Sequence, residues 1–157
     1  MPLAEFADRL QTLTAERFPE AINDPHFKER AALIHERVTF LKDGPDMLAF
    51  FYEEPKVSVE LLANAKQKVT EDLLPKIFKT LKETLKKISE DAWTVDTLKE
   101  KLLASAKAEE LSQGQLLWPL RAALTGLPYS PGAFEVAVAL GKDTTLTRLE
   151  AITASLN

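Results

Sequence analysis

The chain has 157 residues, 45% of them hydrophobic and 28% charged, the balance of one globular domain or of two small helical units. It has no cysteine and two histidines, His26 and His35, which excludes disulfides, Cys-ligated zinc, iron–sulfur clusters and thiol catalysis and leaves almost no material for a histidine metal site. The net charge of −4 is not the basic excess that marks nucleic-acid binders by charge alone, no apolar run approaches the roughly 18 residues of a membrane span, and the mixed start MPLAEFADRL does not read as a secretory signal, so a cytoplasmic protein without metal or membrane is expected.

Apolar residues recur at helical spacing almost throughout, and only five glycines interrupt them. Leu3, Phe6, Ala7, Leu10 and Leu13 mark one face of a first helix. Asp24-Pro25 reads as a cap with proline at the first helical position, and Phe27, Ala31, Ile34, Val38 and Leu41 form the stripe of a second helix that Gly44-Pro45 should end. Asp46 to Phe51 adds one or two turns. The break at Glu53-Glu54-Pro55 divides the chain into expected subdomains 1–54 and 55–157.

Beyond it, Ser58 caps a predicted helix to about Val69, and Leu74, Ile77, Phe78, Leu81, Leu85 and Ile88 mark the next, with Pro75 near its start. Charge changes here. Residues 1–55 carry 6 basic and 11 acidic side chains, whereas residues 56–87 carry 8 lysines and 4 acids; the stripe from Lys66 to Lys87 reads as a solvated face or as a surface for phosphates. Thr94 caps a helix through Leu98, Leu102 and Ala106, Gln115 to Leu124 is helical up to Gly126, Ser130-Pro131 opens a helix that stops at Gly141, and Asp143 or Thr144 caps the last through Leu146, Leu149 and Ile152. The expected fold class is all-α.

Chemistry of catalysis is missing from the pattern. There is no GxGxxG, no GxxxxGK[ST] and no GxSxG, His35-Glu36 lacks the second histidine of a zinc helix, and the adjacent carboxylates Glu53-Glu54 and Glu109-Glu110 point apart on a helix. Attention falls instead on residues 113–149, QGQLLWPLRAALTGLPYSPGAFEVAVALGKDTTLTRL. Pro119 lacks an amide donor and is expected at a helix start, which would place Arg121 in the first turn beside the small pair Ala122-Ala123. A short connection then brings Arg121 near the N-terminus of the Ser130-Pro131-Gly132 helix, whose free amides suit an anionic or hydrogen-bonding ligand such as RNA.

In order, the segment carries Pro119-Leu120-Arg121, Ala123-Leu124-Thr125-Gly126, Ser130-Pro131-Gly132, Phe134-Glu135, Leu140-Gly141-Lys142, Leu146 and Arg148-Leu149. This pattern resembles the C-terminal end of bacterial glutamyl-tRNA synthetases. Glu36-Arg37-Val38 with Leu41-Lys42 and Phe50-Phe51, and Trp93-Thr94 with Leu98, extend the resemblance upstream, the middle third matching only loosely. The family is a class I aminoacyl-tRNA synthetase, a ligase of protein biosynthesis that joins glutamate to tRNA with ATP. Its HIGH-like and KMSKS-like catalytic signatures do not occur here, so the resemblance implies the anticodon-binding helical region alone, in two packed helical subdomains, beginning at an added or internal Met1.

What the resemblance implies is a monomer with glutamate-accepting tRNA as partner and no cofactor in this chain, ATP and Mg belonging to the parent catalytic domain. Residue by residue, it implies that Arg121 and Arg37 read anticodon bases and that Ser130 and Pro131 lie against the RNA, by the stacking and arginine hydrogen bonding that single-stranded RNA calls for. Trp118 stands where some members have glutamine, and would stack on a base or fill the core. Ala133 stands where leucine is frequent, a smaller apolar contact, and Leu103 where some members have a further arginine. The competing readings are a helical protein-interaction module without RNA recognition, which the acidic total charge suits, and a standalone enzyme, for which no catalytic constellation is present.

Overall fold

The computed structural model describes residues 1–156, and among them the chain forms nine α-helices joined by 3-10 turns, with no strand. It is all-α. Among the described residues the only strand-like pairing is one antiparallel bridge, in which Asn64 and Val69 exchange backbone hydrogen bonds of 2.9 and 2.8 Å. The helices divide into two compact units, Met1–Glu54 and a second beginning at Pro55.

The first unit holds α1 (Leu3–Arg17), α2 (Phe27–Ile34) and α3 (Gly44–Leu48). Its core is Phe6, Ala7, Leu10, Ala21, Phe27, Ala31, Ile34 and Leu48, the faces that the helical spacing selects. Two details depart from the sequence reading. The second helix ends at Ile34, not near Leu41: residues 35–37 form a turn, and Val38 and Leu41 pack on the core from outside any α-helix. Gly44-Pro45 opens α3, with proline in the first turn where its missing N–H costs nothing, instead of ending a helix. Gly44 lies so close to Leu10 that a β-carbon there would run into the leucine side chain.

A polar cluster closes this unit. Asp24 Oδ1 accepts from the His26 backbone N–H at 2.8 Å, and its Oδ2 accepts from Arg30 at 2.9 Å and from the Tyr52 hydroxyl at 2.6 Å. The Arg30 guanidinium also lies over the rings of Phe51 and Tyr52, 4.6 and 5.5 Å from their centroids. Burial, and then the hydrogen bond to Asp24, push the Tyr52 phenol well above its ordinary value. The cluster ties the start of α2 to the last residues before the break.

The second unit holds α4 (Val59–Leu62), α5 (Leu74–Lys86), α6 (Val95–Ala108), α7 (Gln113–Thr125), α8 (Ala133–Leu140) and α9 (Lys142–Leu156). Ser58 does cap α4, accepting from Leu61 N–H at 3.2 Å. The helix stops after four residues, short of Val69, because Asn64 turns the chain into the bridge. α5 buries Leu74, Ile77, Phe78, Leu81 and Leu85 completely and packs against α6, α7 and α9. α7 is apolar nearly all round and packs against α4, α5, α6, α8 and α9, the pattern of a central buried helix.

Pro119 sits in the interior of α7, not at its start. The helix begins earlier, at a full capping box: Ser112 Oγ accepts from Gln115 N–H at 3.1 Å, and Gln115 Oε1 accepts from Ser112 N–H at 2.9 Å. A proline inside a helix removes one backbone bond and crowds the preceding turn. Here the surrounding helices bury the segment on most sides, with Leu116 and Leu120 fully excluded from water, and hold it helical regardless.

Candidate RNA-recognition site

Because α7 starts at Gln113, Arg121 lies in its third turn, beyond Pro119, rather than in the first. The turn that follows it is built by the rest of the same motif. Thr125 Oγ1 donates to the Arg121 carbonyl at 2.9 Å and accepts from Leu127 N–H at 3.1 Å. Gly126 ends the helix in the left-handed region, φ 69°, with its N–H on the Ala122 carbonyl at 2.8 Å. A β-carbon at Gly126 would also press on Pro55 at 2.8 Å, so glycine is required twice over.

Arg148, in α9, is buried and donates from Nη1 to the Leu124 carbonyl at 2.7 Å. The arginine of the closing motif therefore caps the C-terminal end of α7, where unpaired carbonyls gather. Its part in the site is to hold the helix that carries Arg121.

The Arg121 side chain is half-buried and points along the connection between α7 and α8. Its guanidinium lies over the Trp118 ring, 4.7 Å from the centroid, Nη1 donates to Ser130 Oγ at 3.3 Å and Nη2 to the Pro128 carbonyl at 3.2 Å. Trp118 is fixed in turn, its indole N–H donating to the Leu61 carbonyl at 2.9 Å. Trp118 therefore serves as the shelf on which the guanidinium rests. A planar fork of donors held this way loses little freedom on meeting a hydrogen-bonding edge.

The other predicted site residues are placed differently. Ser130 is 7% exposed, and its hydroxyl donates to the Pro131 carbonyl at 2.9 Å while accepting from Arg121. Pro131 and Ala133 are buried as well. Ser130 does not cap α8; Gly132 occupies the cap position, with no side-chain cap bond. Nor is the N-terminus of α8 open to an anion, because the Glu135 carboxylate lies where a Gly132 β-carbon would stand. The helix meets its own dipole with its own acid.

Arg37 belongs to the first unit and lies in the turn after α2, not on a helix. It is exposed, its backbone N–H bonds the Ile34 carbonyl at 2.9 Å, and its side chain forms no ion pair among the described residues, although acids are near in sequence. The lysine stripe is partly engaged: Lys82 pairs with Glu150 at 3.2 Å and Lys76 donates to the Glu109 carbonyl at 3.0 Å, while Lys79, Lys86 and Lys87 are exposed. No cluster of three or more His, Cys, Asp or Glu suited to a metal occurs among the described residues, and no helix is long and apolar enough to cross a membrane.

A family model described as an anticodon-binding domain matches residues 5–153. The chain belongs to that family. Curated relatives are named glutamate–tRNA ligase: the protein of Clostridium botulinum strain Eklund 17B is 38% identical over 120 residues, 75% of this chain and 24% of that protein, and that of strain Hall is 34% identical over 146 residues, 91% of this chain and 30% of that protein. The chain thus spans under a third of the length of the curated relatives it matches. A crystal structure of a glutamate tRNA ligase from Elizabethkingia meningosepticum in complex with its amino acid covers 100% of this chain with 30% of its own, at 23% identity and a TM-score of 0.80. At that identity the likeness is one of fold.

Two features of the candidate site depend on packing that the sequence pattern does not express. Arg148 belongs to the closing motif Arg148-Leu149, and only the packing of α9 on α7 gives it a carbonyl to meet. The Trp118 anchor depends on Leu61, 57 residues away in sequence.

Proposed function

We propose that this chain is the tRNA anticodon-binding region of a glutamate–tRNA ligase. The observation that carries the reading is the match along nearly the whole chain to curated proteins of that name. The held guanidinium of Arg121 supports it, being an arrangement suited to an unpaired base edge. Arg121 and Arg37 donate to anticodon bases, one from each unit. Trp118 keeps the Arg121 fork flat along the connection between α7 and α8. Ser130, Pro131 and Ala133 contribute mainly by shaping the connection against which the RNA lies, since they are buried.

The partner is a glutamate-accepting tRNA, bound by a monomer in the cytoplasm. Glutamate attachment, with ATP and Mg, belongs to a catalytic region whose signatures do not occur in these residues. Fluorescence anisotropy with labelled glutamate tRNA, at two salt concentrations, tests the reading. Binding should weaken with salt, with a log–log slope of roughly one per phosphate contacted, and a changed anticodon should bind less tightly. Equal affinity for tRNAs of any anticodon would defeat it.

A further inference from the structure

Hydrophobic burial leaves few large apolar side chains in water. Among the described residues these are Met1, Ile22, Phe40 and Tyr129, with Phe40 60% and Tyr129 83% exposed. Every other aromatic side chain described is buried or half-buried. Single exposed hydrophobics are ordinary. What distinguishes these two is their company: Tyr129 lies between the two residues that hold the Arg121 guanidinium, and Phe40 follows Arg37 by three residues and has the Lys42 ammonium over its ring.

Tyr129 lies between the two residues that Arg121 grips. The Pro128 carbonyl receives Nη2 at 3.2 Å and the Ser130 hydroxyl receives Nη1 at 3.3 Å. Ser130 and Pro131 are buried. The backbone on both sides of Tyr129 is thus fastened while its ring stands in solvent, so presenting the ring costs little ordering on binding.

Phe40 follows Arg37 by three residues, in extended backbone (φ −118°, ψ 132°) just before a 3-10 turn, and its carbonyl accepts from Asp43 N–H at 3.0 Å. The Lys42 ammonium lies 5.7 Å from the centre of its ring. Each unit therefore presents an exposed aromatic ring on a segment that carries or holds an arginine. In the first unit a further cation adjoins.

We infer that Phe40 and Tyr129 are stacking platforms for unpaired RNA bases, one in each unit, working beside Arg37 and Arg121. The inference rests on the RNA reading above. An arginine reads the edge of a base and contributes charge, whereas a ring offers only its face; every base has such a face, so the platforms add affinity for single-stranded loops without choosing among bases.

The test measures affinity of the whole chain for an RNA hairpin carrying the anticodon loop of a glutamate tRNA, and for the same hairpin with abasic loop positions. Tyr129→Ala and Phe40→Ala should each lose about ten-fold in affinity for the intact loop. Tyr129→Phe and Phe40→Tyr should bind as the unsubstituted chain does, and the salt slope should not change, since no phosphate contact is removed. With the abasic hairpin the alanine effects should largely vanish. Circular dichroism melts should be unchanged, as both rings are exposed. If the alanine variants bind normally while Arg121→Ala weakens binding, the stacking inference fails and the RNA reading stands. If Tyr129→Phe loses as much as Tyr129→Ala, its hydroxyl and not its face makes the contact, and stacking is overturned there. If the unsubstituted chain does not prefer the intact loop to the abasic one, the RNA reading falls and the platforms with it.

Discussion

Within each unit an arginine that holds the fold can be set against one that is presented, and the two pairs are built differently. In the first unit Arg30 is locked against Asp24, Phe51 and Tyr52, while Arg37 extends from a turn and forms no side-chain ion pair among the described residues. In the second, Arg148 is locked on the Leu124 carbonyl, and Arg121 rests on Trp118 and spans Pro128 and Ser130. The second unit has already ordered its presented arginine through contacts to a helix and a loop, and the first has not. An ordered donor fork gives up less rotamer freedom on binding. On the RNA reading proposed above, Arg121 is therefore expected to carry the larger share of the affinity.

The largest effect expected is on stability, from the locked arginine. Arg148→Met removes a buried charged donor from the end of α7 and should destabilise the second unit by about 2 kcal/mol or more. Urea unfolding followed by tryptophan fluorescence reads this unit selectively, because Trp93 and Trp118 both lie in it. An unchanged midpoint would mean that Arg148 does not cap α7.

Arg121→Lys should come next. It keeps the charge but loses the planar fork, so affinity for glutamate tRNA should fall about ten-fold with little change in melting temperature. A tRNA with a changed anticodon should show much less sensitivity. Loss of stability equal to the loss of binding would place Arg121 among the locked arginines instead.

In the first unit, Tyr52→Phe removes the hydrogen bond to Asp24 and should cost about 1 kcal/mol at neutral pH. Its pH signature has a definite sign. The folded unit holds the phenolic proton more tightly than the unfolded chain, so this contribution is complete below the unfolded value of about 10. It is lost as pH rises through the higher native value. The difference in unfolding free energy between the two proteins should shrink at alkaline pH, and a constant difference would contradict the burial of the phenol. The smallest effect belongs to Arg37→Lys, about three-fold in tRNA affinity, because an unordered arginine gains less from its fork. A loss larger than that of Arg121→Lys would reverse the comparison.

The helical character of the protein and the starts of several helices are legible in the sequence. Periodic apolar faces select the buried side of α1, α5 and α6, and the Thr94, Ser58 and Gly126 signals act over a few residues of backbone, so they survive any packing. The ordered pattern from Pro119 to Leu149 also pointed to Arg121 and to an RNA-binding family. How long each helix runs, and what each arginine does, depends on packing between distant segments. Pro119 lies within a helix because neighbouring helices bury α7, a compensation no local rule contains. α2 stops at Ile34 although Val38 and Leu41 keep its spacing, since both reach the same core from a turn. Arg121, Arg148 and Arg37 are the same residue type, each followed by an apolar residue. One meets a carbonyl of a distant helix, one rests on an indole anchored 57 residues away, and one meets water. Burial and long-range partners set those roles, and they arise only when helices distant in sequence come into contact.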